Sequence, residues 1–188
     1  GSTLLGGHET FIAEACEYNG SFWHFYPTIA VILNIDEDHL DFYKDLDDIE
    51  ASFKRFAGLV PEDGWVVGWG GDPRVRRVLS SLKCRTRTYG LEPYNELRAE
   101  DISYDELGRP RFTVTLYGHP LCEIELAVSG EKNLLDALAA IAVADISELP
   151  MSRVSETLSH FTGAHRRFDL PSVPDGVRIY QDYAHNPA

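Results

Sequence analysis

The run Ile29-Ala30-Val31-Ile32-Leu33 constrains this chain more than any other feature. Five apolar residues in a row, without alternation, are the pattern of a parallel strand covered on both faces. A strand over Thr28–Ile35 is therefore predicted, and a second over Thr10–Ala15. A helix follows: Asp47-x-x-Glu50 makes a capping-box-like start, and Ile49, Phe53, Phe56 and Val60 recur at steps of 4, 3 and 4 before Pro61 and Gly64 stop it. Trp65–Trp69 reads as a strand, Asp72–Leu82 as an amphipathic helix and Cys84–Tyr89 as another strand. Such alternation predicts a parallel sheet flanked by helices.

The pattern then changes. Leu97–Tyr104, Arg111–Tyr117 and Leu121–Val128 follow one another, separated only by turn sequences around Gly108-Arg109-Pro110 and Gly118-His119-Pro120. That spacing predicts a small three-stranded antiparallel sheet. A buried helix is expected from Lys132 to Ile146, a further helix capped by Ser152, then a loop around Pro171 and Pro174 and a last strand over Val177–Tyr183. The fold class is α/β: a mostly parallel sheet with an antiparallel flap.

Charge narrows the partners. Of 188 residues, 17 are Lys or Arg and 30 are Asp or Glu, a formal net charge of −13, which repels nucleic acid and anionic membrane. No apolar run approaches the roughly 20 residues of a membrane span. Cys16, Cys84 and Cys122 are odd in number and far apart, which suits a reducing cytoplasm better than a disulfide framework or zinc site. A Gly-Ser start without Met and a stop after Asn186-Pro187-Ala188 lead us to expect a piece of a longer protein.

Candidate chemistry lies at strand ends. Glu14 leaves the first predicted strand, and His39 sits in the acidic stretch Asn34–Asp41 after the second. Open α/β sheets bind ligands at that edge, so Glu14 and His39 are placed to share one ion, Mg²⁺ beside phosphates being the chemistry that suits them. The alternatives are a solvated strand end and an acidic helix start. Gly1–His8 has the glycines of a phosphate loop but lacks its Lys and hydroxyl, and is rejected as one. Asn133, the Arg166-Arg167 pair in its loop, and Asp182 to Pro187 after the last strand are weaker signals, each with a cap, salt-bridge or exit-turn explanation.

Taken in order, Glu14-Ala-Cys-Glu-Tyr, Asn34-Ile-Asp-Glu-Asp-His-Leu-Asp, Gly130-Glu-Lys-Asn-Leu-Leu-Asp-Ala, Arg166-Arg-Phe-Asp and Asp182-Tyr-Ala-His-Asn-Pro resemble the central ATP-binding domain of the Mur ligases. The resemblance covers nearly the whole chain and is strongest to the alanine-adding branch. It implies an ATP-dependent amide ligase of peptidoglycan synthesis, with UDP-N-acetylmuramate and L-alanine as substrates. It further implies that Glu14 and His39 ligate Mg²⁺, that Asn133 and Arg167 contact ATP, and that Asp182, His185 and Asn186 contact the nucleotide at a domain junction. Several relatives carry a carbamylated lysine in the metal site, and Lys54, 15 residues past His39, is the candidate for it by position, the alternative being a solvated helix residue. Residues 1–183 would then be the middle domain without its phosphate loop, and 184–188 the start of a linker to a C-terminal domain. Alone, these residues are expected to turn over no ATP. Rival readings are a sibling ligase adding another amino acid or a folylpolyglutamate-type synthetase, a non-catalytic binding domain of the same fold, and a metal-dependent hydrolase using Glu14, Asp38 and His39.

Overall fold

The structure, a computed structural model, describes residues 6–7, 9–164, 169–172 and 179–181. Its elements are β1 (Ile29–Ile32), α1 (Leu46–Ala57), β2 (Trp65–Trp69), α2 (Pro73–Ser80), β3 (Arg85–Gly90), β4 (Leu97–Tyr104), β5 (Pro110–Leu116), β6 (His119–Glu125), α3 (Glu131–Ile146), α4 (Met151–His160), β7 (Asp169–Ser172) and β8 (Ile179–Gln181). Strands β1 to β6 form one sheet in chain order, parallel from β1 to β4 and antiparallel from β4 to β6. The expected antiparallel meander is therefore an extension of the parallel sheet. It is joined through the short ladder Tyr89↔Leu97 and Gly90↔Arg98.

Each face carries its own core. Ala30, Ile32 and Val66 point toward α1 and α2, where they meet Ile49, Phe56, Val75, Val78 and Leu79. Val67, Tyr89, Leu97 and Val114 point the other way, onto Leu134, Leu138 and Ile141 of α3. Helix α2 lies so close to β2 that a Cβ on Gly68 would stand 2.6 Å from Val75 Cγ1.

Five expectations are corrected. Thr10–Ala15 is not a strand; the segment leads into a 3₁₀ turn over Tyr18–His24, and Phe11 and Ile12 are 87% and 88% exposed. A strand needs a neighbour for its N–H and C=O groups, and among the described residues nothing pairs with this segment. Among the described residues β1 is the edge of the sheet, and its Val31 and the following Leu33 are 40% and 46% exposed, so only one face there is covered. Asp45, not Asp47, caps α1, accepting from Asp48 N–H, while α4 begins after Pro150 with no side-chain cap from Ser152. Finally, β7 occupies part of the expected loop around Pro171, pairing antiparallel with β8.

Glu50 fastens α1 to α2. Its carboxylate accepts from Arg74 Nη1 at 2.7 Å, from Arg77 Nη2 at 2.6 Å and from Arg77 Nε at 2.9 Å. Arg77 chiefly, with Arg74, holds this carboxyl below the ordinary carboxylate range. A depressed carboxyl stabilises the fold fully above its unfolded value of about 4.3, and that contribution disappears as pH falls through the folded value. Glu50→Gln should therefore destabilise the chain at pH 7 and lose less stability than the parent between pH 5 and pH 3. Urea midpoints across that range check this, and parallel acid limbs for the two proteins would reject it.

Candidate functional site

The segment after β1 and the segment before the 3₁₀ turn meet at the carboxyl end of the parallel strands. Asp72 organises the approach: its Oδ2 accepts Ile35 N–H at 2.8 Å while its Oδ1 accepts Arg74 N–H at 2.7 Å, capping α2. The strand-leaving loop is thereby tied to the N-terminus of the neighbouring helix. Beyond it, Asp38 Oδ1 accepts His39 N–H at 2.7 Å, and His39 adopts the left-handed conformation, with φ +54°. A β-carbon there is unfavourable, so surrounding contacts must hold the residue in place. Its carbonyl accepts the N–H groups of Phe42 and Tyr43, at 2.9 and 3.0 Å, which closes a tight turn.

There it meets Glu17. His39 Nε2 lies 3.3 Å from Glu17 Oε1 and its Nδ1 lies 3.8 Å from Asp38 Oδ1. One ligand atom from each of Glu17, Asp38 and His39 falls within 4.8 Å of the others. Glu17 and His39 side chains are 31% and 33% exposed, which leaves the group open to a ligand. The Tyr18 ring walls one side, 4.8 Å from the imidazole, while its hydroxyl donates to Asp41 at 3.2 Å. Behind the group, buried Tyr43 donates from its phenol to the Glu17 carbonyl at 2.5 Å, and burial pushes that phenol up, keeping it protonated. An open depression of about 490 Å³, lined by Ile35, Trp69, Asp72, Arg74 and Arg77, adjoins the same edge.

Two carboxylates and an imidazole from separate chain segments are a donor set that suits a divalent cation retaining several waters. The residues present thus fit Mg²⁺. Of the candidates from sequence, His39 lies in this group. Glu14 is exposed and lies outside it, and Glu17, three residues further on, lies in it. The Asn19-Gly20 turn dipeptide was the available signal, since it puts the bend directly after Glu17. Lys54 is exposed on the side of α1 opposite Ser52 and Phe56, so the helix carries it away from Tyr43 and the group behind which Tyr43 sits. Asn133 is half-buried in the first turn of α3 and donates from Nδ2 to Ser129 C=O at 2.7 Å; Gly130, not Asn133, is the N-cap. Arg167, Asp182, His185 and Asn186 lie outside the described residues. The three cysteines are free, and among the described residues no helix is long and apolar enough to cross a membrane.

Comparison with known proteins gives concordant results. The family model of the Mur ligase middle domain matches residues 2–144. The UDP-N-acetylmuramate–L-alanine ligase of Caldanaerobacter subterraneus subsp. tengcongensis is 42% identical over 188 residues, all of this chain and 41% of that protein. This chain thus spans about two fifths of the length of its curated relatives. The solved UDP-N-acetylmuramate-alanine ligase of Thermotoga maritima superposes with a TM-score of 0.75 at 27% identity, over 89% of this chain and 37% of that one. The MurF ligase of the same organism, solved in complex with ADP, shares the fold at a TM-score of 0.65 and 20% identity, over 79% of this chain and 34% of its own.

Proposed function

This chain belongs to the Mur ligase family, as its middle domain, and on that premise we propose that it is the ATP-handling part of a cytoplasmic ligase joining L-alanine to UDP-N-acetylmuramate. The observation that carries the reading is the meeting of Glu17 and His39 at the carboxyl end of the parallel strands, in a chain 42% identical throughout its length to an alanine-adding ligase. In the reaction implied, the substrate carboxylate attacks the γ-phosphorus of ATP, giving an acyl phosphate and ADP. The amine of L-alanine then displaces inorganic phosphate and forms the amide.

For such a transfer a protein contributes positioning and charge neutralisation rather than covalent chemistry. His39 with Glu14 or Glu17 would hold the cation, with Asp38 beside them. Mg²⁺, when bound, would supply positive charge that offsets the negative charge of the phosphates. Asn133, at the start of α3, and Arg167 contact ATP. Asp182, His185 and Asn186 contact the nucleotide toward the next domain, and Lys54 is the position for a modified lysine.

The test substitutes this chain for the matching part of the Caldanaerobacter ligase and follows ADP release with Mg-ATP and UDP-N-acetylmuramate while the amino acid is varied. The 188-residue chain alone serves as a control and is expected to be silent. Release that requires L-alanine is the expected result. Release with another amino acid moves the assignment to a sibling ligase, and no release with any amino acid favours the non-catalytic reading.

A further inference from the structure

The geometry points to Asp72 as a positioning residue for the loop that carries His39: one carboxylate caps α2 and holds the backbone where the chain leaves β1. This rests on the reading of His39 as a cation ligand and does not depend on which carboxylate completes its set. The β1–β2 ladder ends at the Ile32↔Gly68 pair. Beyond it, among the described residues, the bond from Ile35 N–H to Asp72 Oδ2, at 2.8 Å, is the one hydrogen bond by which residues 34–38 reach another segment. The other bonds up to His39 N–H are local, from Glu37 N–H to Asp36 Oδ1 at 2.8 Å and from His39 N–H to Asp38 Oδ1 at 2.7 Å. Local bonds shape the loop, but they do not place it against the sheet edge.

Asp72 is itself fixed. Its Oδ1 accepts Arg74 N–H at 2.7 Å as the N-cap of α2, so both oxygens are committed and the charge lies where the helix dipole favours it. Helix α2 is locked in turn: Val75 is fully buried where the helix crowds β2 at Gly68, and Glu50 of α1 holds Arg74 and Arg77. At the other end of the bond, Ile35 is 5% exposed, which leaves its N–H little access to water as a substitute partner. Four residues on, His39 is held at φ +54°, a conformation that persists only while surrounding contacts over-determine it. Groups that orient a metal ligand from behind are worth about ten- to a hundredfold in affinity, and the low end applies to a bond four residues from the imidazole.

Asp72→Ser separates the two roles, since a serine caps a helix about as well as an aspartate but its single short arm does not also reach Ile35 N–H. The protein is this chain completed by the flanking domains of the Caldanaerobacter ligase. Hydrogen exchange over residues 35–43 is followed by mass spectrometry without metal, and ADP release is measured against Mg²⁺ concentration. Asp72→Ser is expected to speed exchange of that segment about fivefold, the factor of one net hydrogen bond. It should raise the Mg²⁺ concentration for half-maximal release roughly tenfold. Asp45→Ala, which removes the cap of α1 instead, should lower the melting temperature by about 2 to 4 °C yet change the Mg²⁺ requirement less than about twofold. Added to His39→Ala, Asp72→Ser should cost less than about a further twofold, because changes acting through one contact are not additive. Parent-like exchange or Mg²⁺ requirement in Asp72→Ser, an equal rise in Asp45→Ala, or the full loss repeated on top of His39→Ala overturns the positioning role. A Mg²⁺ requirement that His39→Ala leaves unchanged overturns the cation reading of His39 instead, and no ADP release from the completed parent overturns the proposed function.

Discussion

Glu17→Gln, in the chain completed by a relative's flanking domains, is expected to reduce ADP release at least a hundredfold, the scale on which a lost electrostatic contact in a phosphoryl-transfer site acts. The substitution keeps the shape of the side chain and removes only its charge. Mg²⁺ is a hard cation that dehydrates reluctantly, and a neutral amide oxygen is a poor substitute for carboxylate in its shell. The loss should appear in kcat, and raising Mg²⁺ should restore part of it. His39→Ala removes the opposing ligand 3.3 Å away and is expected to cost roughly ten- to a hundredfold. Glu14→Gln is the sharp comparison, because Glu14 is exposed and lies outside the group. Its activity should stay within about twofold of the parent, as for a surface substitution that touches no special feature. A Glu14→Gln enzyme as damaged as Glu17→Gln would move the metal carboxylate three residues upstream and contradict the geometry described above.

The same three residues show where sequence reading succeeds and where it stops. Strand β2 is found at Trp65–Trp69 and β4 at Leu97–Tyr104, the expected bounds. A short apolar or β-branched run between glycine or turn signals carries that information locally. The segment Thr10–Ala15 has the same composition, but a strand also requires a neighbour, and no residue in the run encodes one. The 3₁₀ turn beginning at Tyr18 sets Glu17 beside His39 and leaves Glu14 exposed, a placement that the strand reading does not give. The exposure of Val31 and Leu33 has a similar cause: the run is apolar enough for two covered faces, and the covering element is not within it. His39 was legible because an acidic loop directly follows an apolar strand. Tyr43 was not, since its bond to Glu17 spans 26 residues and a tyrosine in an aromatic-rich segment carries no mark of it.

The largest expected loss of stability lies on the opposite face of the sheet, at the pair that pins the end of α3. Arg87 of β3 is 6% exposed, and its Nη1 lies 2.9 Å from Asp145 Oδ2 in the last turn of that helix. The guanidinium also stands over Trp65 at 5.2 Å and near Tyr117 at 5.6 Å, while its Nε has no hydrogen-bond partner. Asp145→Ala would strand this charge without its counterion, and breaking a buried pair from one side costs about 3 kcal/mol or more. The low end applies, because the Asp145 side chain is 24% exposed and the two rings still attract the cation. For a domain of this size that is a fall in Tm of roughly 6 to 12 °C. Arg87→Met should cost less, about 1 kcal/mol, because the carboxylate left behind can turn to water, although it then faces the negative end of the α3 dipole alone. Arg87→Met combined with Asp145→Leu should recover most of the loss of Asp145→Ala, since neither charge remains buried. Denaturant unfolding of the four proteins decides the matter. Equal, additive losses from the two single variants would mean that the pair acts through packing and not through charge.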